Sequence, residues 1–268
     1  WWSKYLQNAL DELADTEIYI AQHNQPIWGT QRIREFITVH RDVYKYTHDQ
    51  TVRLMNQGLT PREIADKITL PESLSKHLGA RGYYGDLSHK VKAVYQFYLG
   101  FYDGNPANLN PLPPTESGKR FMDLIGTDKA VAAAQTAFDK GDFRWAAELL
   151  NHVVMADSGN KDARELLAKT YDQMGYMAEA ATWRNAYLTG AMELREGPPK
   201  KGIDKANLID MLQRVPTERF LEAMAAGLKG EDAVGKDYKI NLVLTDTQEQ
   251  YVLWIENAVL HFKSGAPA

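Results

Sequence analysis

The chain has no cysteine among its 268 residues. Disulfides and thiolate nucleophiles are excluded, and a zinc site can be built only from histidine, aspartate or glutamate. Long apolar runs are missing too. No stretch approaches the roughly 18 apolar residues that read as a membrane-crossing helix. No signal-peptide pattern is read at the start. Neither sign of charge dominates: 31 Lys and Arg face 35 Asp and Glu, a net charge of −4. Such a balance offers no broadly basic surface for nucleic acid. A P-loop, a dinucleotide fingerprint, a Ser/His/Asp arrangement and a His-Glu-x-x-His motif are all absent. What remains is an ordinary globular composition, 44% hydrophobic and 25% charged, with length for two or three domains. A soluble protein is expected, and the absence of cysteine suits a periplasmic or secreted bacterial location. The opening Trp1-Trp2, in what reads as a helix, points to a fragment or a processed product.

The most informative pattern is a repeat. Gly141-Asp142-Phe143-Arg144-Trp145-Ala146-Ala147-Glu148 returns 34 residues later as Gly175-Tyr176-Met177-Ala178-Glu179-Ala180-Ala181-Thr182. Ala134 and Ala168, Ala146 and Ala180, Ala147 and Ala181, and Asn151 and Asn185 fall in the same register. This is the period of a tetratricopeptide helix–turn–helix unit. Alanines let two helices approach closely, and the glycine is expected between the helices of each pair. A stack of such hairpins is a scaffold without chemistry of its own. Trp145 and Trp183 are expected in its core, where alanine would cost about 3–5 kcal/mol.

Around the repeat, the pattern predicts a helix over 1–14 and a buried strand at Glu17–Ala21. A long helix is expected from Gln31 to Asn56. Thr60-Pro61-Arg62-Glu63 reads as a capping box opening a helix to Ile68. It resembles the start of a helix-turn-helix only superficially. Short helices are expected from Pro71 to Leu78 and from Ser88 to Tyr102. The proline-rich stretch 108–115 reads as extended, with helix resuming at Lys119. Glu196–Gly202 is the clearest linker. Beyond it come two amphipathic helices, 204–214 and 216–227. Then strands alternate at Ile240, Leu242 and Leu244 and at Tyr251, Leu253 and Ile255, with a third strand over Ala258–Phe262. The sheet looks incomplete at its end.

Chemistry concentrates in two places. His23 ends the buried run and precedes a proline turn and a helix, a placement that suits a metal ligand; one histidine does not make a zinc site, which needs three or four ligands. Arg81-Gly82-Tyr83-Tyr84-Gly85-Asp86-Leu87-Ser88-His89 gathers a guanidinium, two phenols and an imidazole at a helix start. That set suits an oxyanion such as sulfate, phosphate or carboxylate, although a capped helix start with aromatic packing explains it as well. The aromatics Tyr95, Tyr98, Phe101, Tyr102, Trp145 and Trp183 fit core and subunit contacts.

Three blocks carry a resemblance. They are His23-Asn24-Gln25-Pro26-Ile27-Trp28-Gly29; Tyr84–His89 with Lys92–Gln96 and Asp103-Gly104-Asn105-Pro106-Ala107; and Arg144–His152 with Trp183–Ala191. Together they resemble the zinc-dependent alkyl sulfatases of the metallo-β-lactamase superfamily. The resemblance implies a mainly α chain in three parts. Residues 1–30 would end a metallo-β-lactamase-like catalytic domain. Residues 31–196 would form a helical dimerisation domain with tetratricopeptide-like hairpins. Residues 203–268 would be a partial sterol-carrier-like α+β domain. It also implies hydrolysis of alkyl sulfate esters to alcohol and sulfate by a homodimer with two zinc ions per protomer. His23 would be the last zinc ligand, and Tyr84 and His89, with Arg81, would reach toward the sulfate. The family more often has asparagine after the matching histidine, where this chain has Lys90. The family's main zinc motif and its bridging carboxylates have no counterpart here. The chain alone is therefore expected to be inactive until a complementary N-terminal catalytic segment supplies them. The alternative expectation is a stand-alone tetratricopeptide-like interaction module.

Overall fold

A computed structural model describes residues 1–200, 202 and 209–265. The chain divides into two units, Trp1–Pro198 and Pro199–Ala268. The first is helical. α1 (Trp2–Glu12) lies against α2 (Thr30–Met55), with Leu10, Ile33 and Ile37 forming a small core. Between them β1 (Ile18–Tyr19) pairs antiparallel with β2 (Ile27–Trp28), Ile18 opposite Trp28. The strand expected over Glu17–Ala21 is thus only two residues long, and it is not buried. Ile18 and Ile20 are 56% and 74% exposed, because the ribbon turns Tyr19 and Ile27 toward the small core of α1 and α2 and leaves these two isoleucines on its outer side.

The capping box at Thr60 forms. The Thr60 N–H donates to the Glu63 carboxylate at 2.8 Å, and the Glu63 N–H donates to the Thr60 hydroxyl at 3.4 Å. It starts α3 (Pro61–Lys67), with proline at the first turn, where its missing N–H costs nothing. Ile64 of α3 is fully buried beside Leu54 of α2 and Val91 and Tyr95 of a later helix. This helix therefore belongs to a core. After α4 (Glu72–Ser75) and a short 3-10 turn comes α5 (Leu87–Leu99). The next helix, α6 (Pro114–Ile125), begins five residues before the Lys119 read from the sequence. Pro114 occupies its first turn, where the fixed φ of proline favours helix.

The repeat appears as two hairpins, α7 (Thr127–Asp139) with α8 (Phe143–Ala156), then α9 (Lys161–Met177) with α10 (Ala181–Glu196). α7 and α9 begin 34 residues apart. Ala134, Ala146 and Ala168 are fully buried and Ala180 nearly so, as close helix approach requires. The two glycines differ. Gly141 sits in the turn at φ +77°, a conformation only glycine adopts freely. Gly175 lies inside α9 instead, where a Cβ would stand 2.9 Å from the Leu188 side chain. α9 has 17 residues against 13 in α7, and the extra turn carries the repeated glycine into the helix. Trp145 does not reach the core. It is 50% exposed on α8, whose buried stripe is Ala146, Leu149, Leu150 and Val153. Trp183 is partly buried.

The second unit contains α11 (Ile209–Leu212), α12 (Thr217–Ala226) and α13 (Gly230–Ala233). Residues 204–208 of the helix expected over 204–214 lie outside the described residues. An antiparallel meander follows, of β3 (Tyr238–Leu244), β4 (Glu249–Glu256) and β5 (Val259–Ser264). Leu253 stands opposite Ile240 and Phe262. On that face Leu221 of α12 packs with Tyr251 and Leu253, so a period-two pattern gives one buried face.

In the first unit α6 and α8 approach most closely at Gly118, where a Cβ would stand 2.7 Å from the His152 carbonyl oxygen and 3.0 Å from the Ala156 nitrogen. Backbone does not yield as a side-chain tip does. Gly118→Ala should destabilise the protein by about 1–3 kcal/mol, whereas Trp145→Ala should cost less than about 1 kcal/mol. Urea titration checks both, and an unchanged midpoint for Gly118→Ala would refute the close approach.

Candidate functional site

The loop from Arg81 to Asp86 is built by its neighbours. Asp86 is the N-cap of α5, its carboxylate accepting from the N–H groups of Ser88 at 2.7 Å and His89 at 3.3 Å. This satisfies two of the donors that a helix start leaves open. On the other side, the Tyr83 carbonyl accepts from the Ala181 N–H at 2.9 Å, and the Tyr84 carbonyl accepts from the Thr182 hydroxyl at 3.1 Å. The loop is thus held between the first turn of α5 and the first turn of α10.

This arrangement gathers residues far apart in sequence. The exposed His23 ring stacks on Tyr84, with centroids 5.9 Å apart and planes at 21°. The Trp183 indole N–H donates to Nδ1 of His89 at 3.3 Å, edge-on to its ring. Indole nitrogen only donates, so Nδ1 accepts and the proton of the neutral imidazole sits on Nε2. His89 therefore offers Nε2–H as a donor. Arg81 is paired with Glu179 at 2.5 Å, so a carboxylate of the same chain already balances its charge.

Tyr84, Gly85, His89, Lys90, Trp183 and Tyr187 line a cavity of about 530 Å³. Burial holds the Tyr187 phenol above the ordinary tyrosine range, and the nearby Asp86 charge adds to the effect. Tyr187 is thus kept as a neutral hydrogen-bonding phenol. Burial pushes the Lys90 ammonium below the usual lysine range, while Asp86 pulls it back. Across Asp86 and Trp183 lies a wider groove of about 970 Å³. There Arg144 pairs with Asp66 at 3.0 Å, and the Lys92 ammonium stands 5.5 Å from the centre of a Trp183 ring.

Sequence reading had singled out His23, Arg81, Tyr84 and His89. The fold brings His23 to Tyr84, joins Tyr84 and His89 to α10, and pairs Arg81 with Glu179 in the turn before it. It adds Lys90 and Tyr187, which no motif had marked for chemistry. The signal for Tyr187 is its place one turn after Trp183 on α10, which puts both rings on one helix face. Among the described residues no group of three or more His, Asp or Glu side chains is placed to hold a metal ion. His23 alone does not make a zinc site, and a site using it needs donors from outside these residues.

With this geometry, the comparisons with known proteins are specific. The alkyl sulfatase dimerisation family model matches residues 60–197, and the alkyl sulfatase C-terminal model matches 205–268. The chain belongs to the alkyl sulfatase family. It is 47% identical to the alkyl/aryl-sulfatase BDS1 of Saccharomyces cerevisiae, over 98% of this chain and 41% of that protein. It is 43% identical to an (R)-specific secondary-alkylsulfatase of Pseudomonas, over 99% of this chain and 40% of that one. The solved structure of the stereoselective inverting sec-alkylsulfatase Pisa1 from Pseudomonas superposes with a TM-score of 0.92 at 43% identity, covering 99% of this chain and 42% of that one. The chain thus spans about two-fifths of the length of these relatives. The matches extend over both units, which sets aside a stand-alone repeat module. No described helix is long and apolar enough to cross a membrane.

Asp86 is the joint of the site. Asp86→Ala should cost about 1 kcal/mol through loss of the α5 cap, and Asp86→Asn much less. Thermal unfolding of the two variants checks the order; equal melting temperatures would remove the cap from the account.

Proposed function

We propose that this chain is the dimerisation and substrate-pocket portion of a zinc-dependent alkyl sulfatase, which converts an alkyl sulfate ester and water to an alcohol and sulfate. The observation that carries this reading is the meeting of His23, Tyr84 and His89 at one loop, in a chain of this family. Residues 1–30 would close a catalytic domain of metallo-β-lactamase type, residues 31–196 would form the dimerisation domain, and residues 203–268 a partial sterol-carrier-like domain. His23 would serve as one zinc ligand. The other ligands would come from the complementary N-terminal catalytic segment, since the described residues of this chain do not complete a site. Two zinc ions per protomer would polarise the sulfate and supply hydroxide once that segment is present.

This chain's own residues would bind and orient the substrate. The Tyr84 hydroxyl and Nε2–H of His89 would donate to sulfate oxygens. Arg81, anchored by Glu179, would hold the edge of the same loop. The aromatic faces of Trp183 and Tyr187 would take the first methylenes of the alkyl group, each worth about 0.8 kcal/mol when removed from water. That apolar wall favours long-chain esters over small ones.

Native mass measurement with metal analysis on the same sample tests the reading. The 268-residue chain should be a metal-poor homodimer without sulfatase activity. Joined to its N-terminal catalytic segment, it should carry about two zinc ions per protomer and hydrolyse alkyl sulfates. A monomer would overturn the dimerisation assignment, and hydrolysis by the joined protein after zinc removal would overturn the metal assignment.

A further inference from the structure

We propose that Lys90 supplies the positive charge that binds the sulfate group in the cavity walled by Tyr84, His89 and Trp183. The inference rests on the sulfatase reading above for the identity of the ligand. It rests on the structure for the choice of residue.

Three observations single out Lys90. First, it is partly buried at the cavity wall, yet no carboxylate lies within 4.0 Å of its ammonium among the described residues. Second, it stands in the first turn of α5, a helix of 13 residues. There the helix dipole disfavours a cation, which would be better placed at the other end. Both features cost the folded protein stability, and both costs are relieved when an anion enters the cavity. Third, the loop accommodates the lysine stem through Gly85, where a Cβ would stand 3.0 Å from Lys90 Cε. Any larger residue at 85 would press on the stem.

The other cations nearby are committed. Arg81 pairs with Glu179, the Arg184 guanidinium donates to the Ala178 carbonyl at 2.9 Å, and Lys92 lies over the Trp183 ring. Asp86 is the nearest negative group, and its carboxylate accepts from two backbone N–H groups of α5. Lys90 is therefore the available countercharge for a sulfate oxygen among the described residues of the cavity, with Tyr84 and His89 as hydrogen-bond donors beside it. A charge-assisted hydrogen bond of this kind is among the stronger polar contacts a protein makes.

The test titrates inorganic sulfate into the 268-residue chain and follows the NMR signals of the Tyr84 and His89 rings. Wild type should show saturable shifts. Lys90→Gln should weaken sulfate binding about tenfold, the loss expected for one charge-assisted bond, without lowering the melting temperature. Lys90→Arg should stay within about threefold of wild type, since it keeps the charge. In the protein joined to its catalytic segment, Lys90→Gln should raise KM for an alkyl sulfate by about the same tenfold and change kcat little. Equal sulfate affinity of wild type and Lys90→Gln, or no shift at Tyr84 and His89, overturns the assignment. Failure of the sulfatase reading looks different: Lys90-dependent sulfate binding persists, but the joined protein hydrolyses no alkyl sulfate.

Discussion

The N–H of Ala181 donates to the Tyr83 carbonyl, and the Thr182 hydroxyl donates to the Tyr84 carbonyl. α10 has alanine at its N-cap and no side-chain cap bond. A helix start of this kind leaves donors unsatisfied, and alanine is a poor residue to satisfy them. Here the loop almost a hundred residues earlier provides acceptors. The loop of the candidate site thus satisfies one backbone donor and one hydroxyl at the start of the second hairpin's α10. The loop in turn has a fixed position only because the scaffold holds it. Ala180 is buried at the same point. The repeat scaffold and the candidate-site loop are therefore coupled through one helix end.

The parts of the fold legible in the sequence were those set by local chemistry. The Thr60–Glu63 capping box needs only four residues, and it forms as read. The 34-residue period located both hairpins, because buried alanines recur wherever two helices must pack closely, although only Gly141 of the repeated glycines falls in a turn. The readings that failed depended on what surrounds a segment. Ile18 and Ile20 are apolar enough for a buried strand, but the two-residue ribbon turns Tyr19 and Ile27 toward the α1–α2 core instead and leaves the isoleucines exposed. Trp145 sits next to the buried stripe of α8 rather than on it, a difference of one position, or about 100° around the helix. Pro114 was read as a helix breaker, whereas proline in the first turn starts one.

The candidate site was only half legible for a similar reason. Its loop residues are contiguous, so Arg81, Tyr84 and His89 could be named together. Their partners are not. Glu179, Thr182, Trp183 and Tyr187 come from the second hairpin, and only the tertiary fold brings them within hydrogen-bonding or ring-contact distance. Arg81 shows the consequence. In the sequence it is the obvious cation for an oxyanion, but Glu179 already occupies it. Lys90 stood out in the sequence only as a departure from the family's asparagine, and the fold shows it partly buried with no carboxylate within 4.0 Å among the described residues.

Asp86 and Lys90 occupy the same helix turn and obey opposite rules. An aspartate at the N-cap satisfies backbone donors and suits the helix dipole, while a lysine four residues on opposes it. Local inconsistency of this kind is expected where function overrides stability. The two residues divide the work: Asp86 sets the start of α5 and fixes where Lys90 projects, and Lys90 turns that position into a binding charge. Trp183 makes the matching contribution on the other wall. By donating to Nδ1 it leaves the remaining proton of His89 on Nε2, so the imidazole presents a donor rather than an acceptor to an anionic group. A cation and an N–H donor prepared in this way suit a tetrahedral oxyanion. A helix cap and an indole N–H, neither of which touches that anion, set both groups in position.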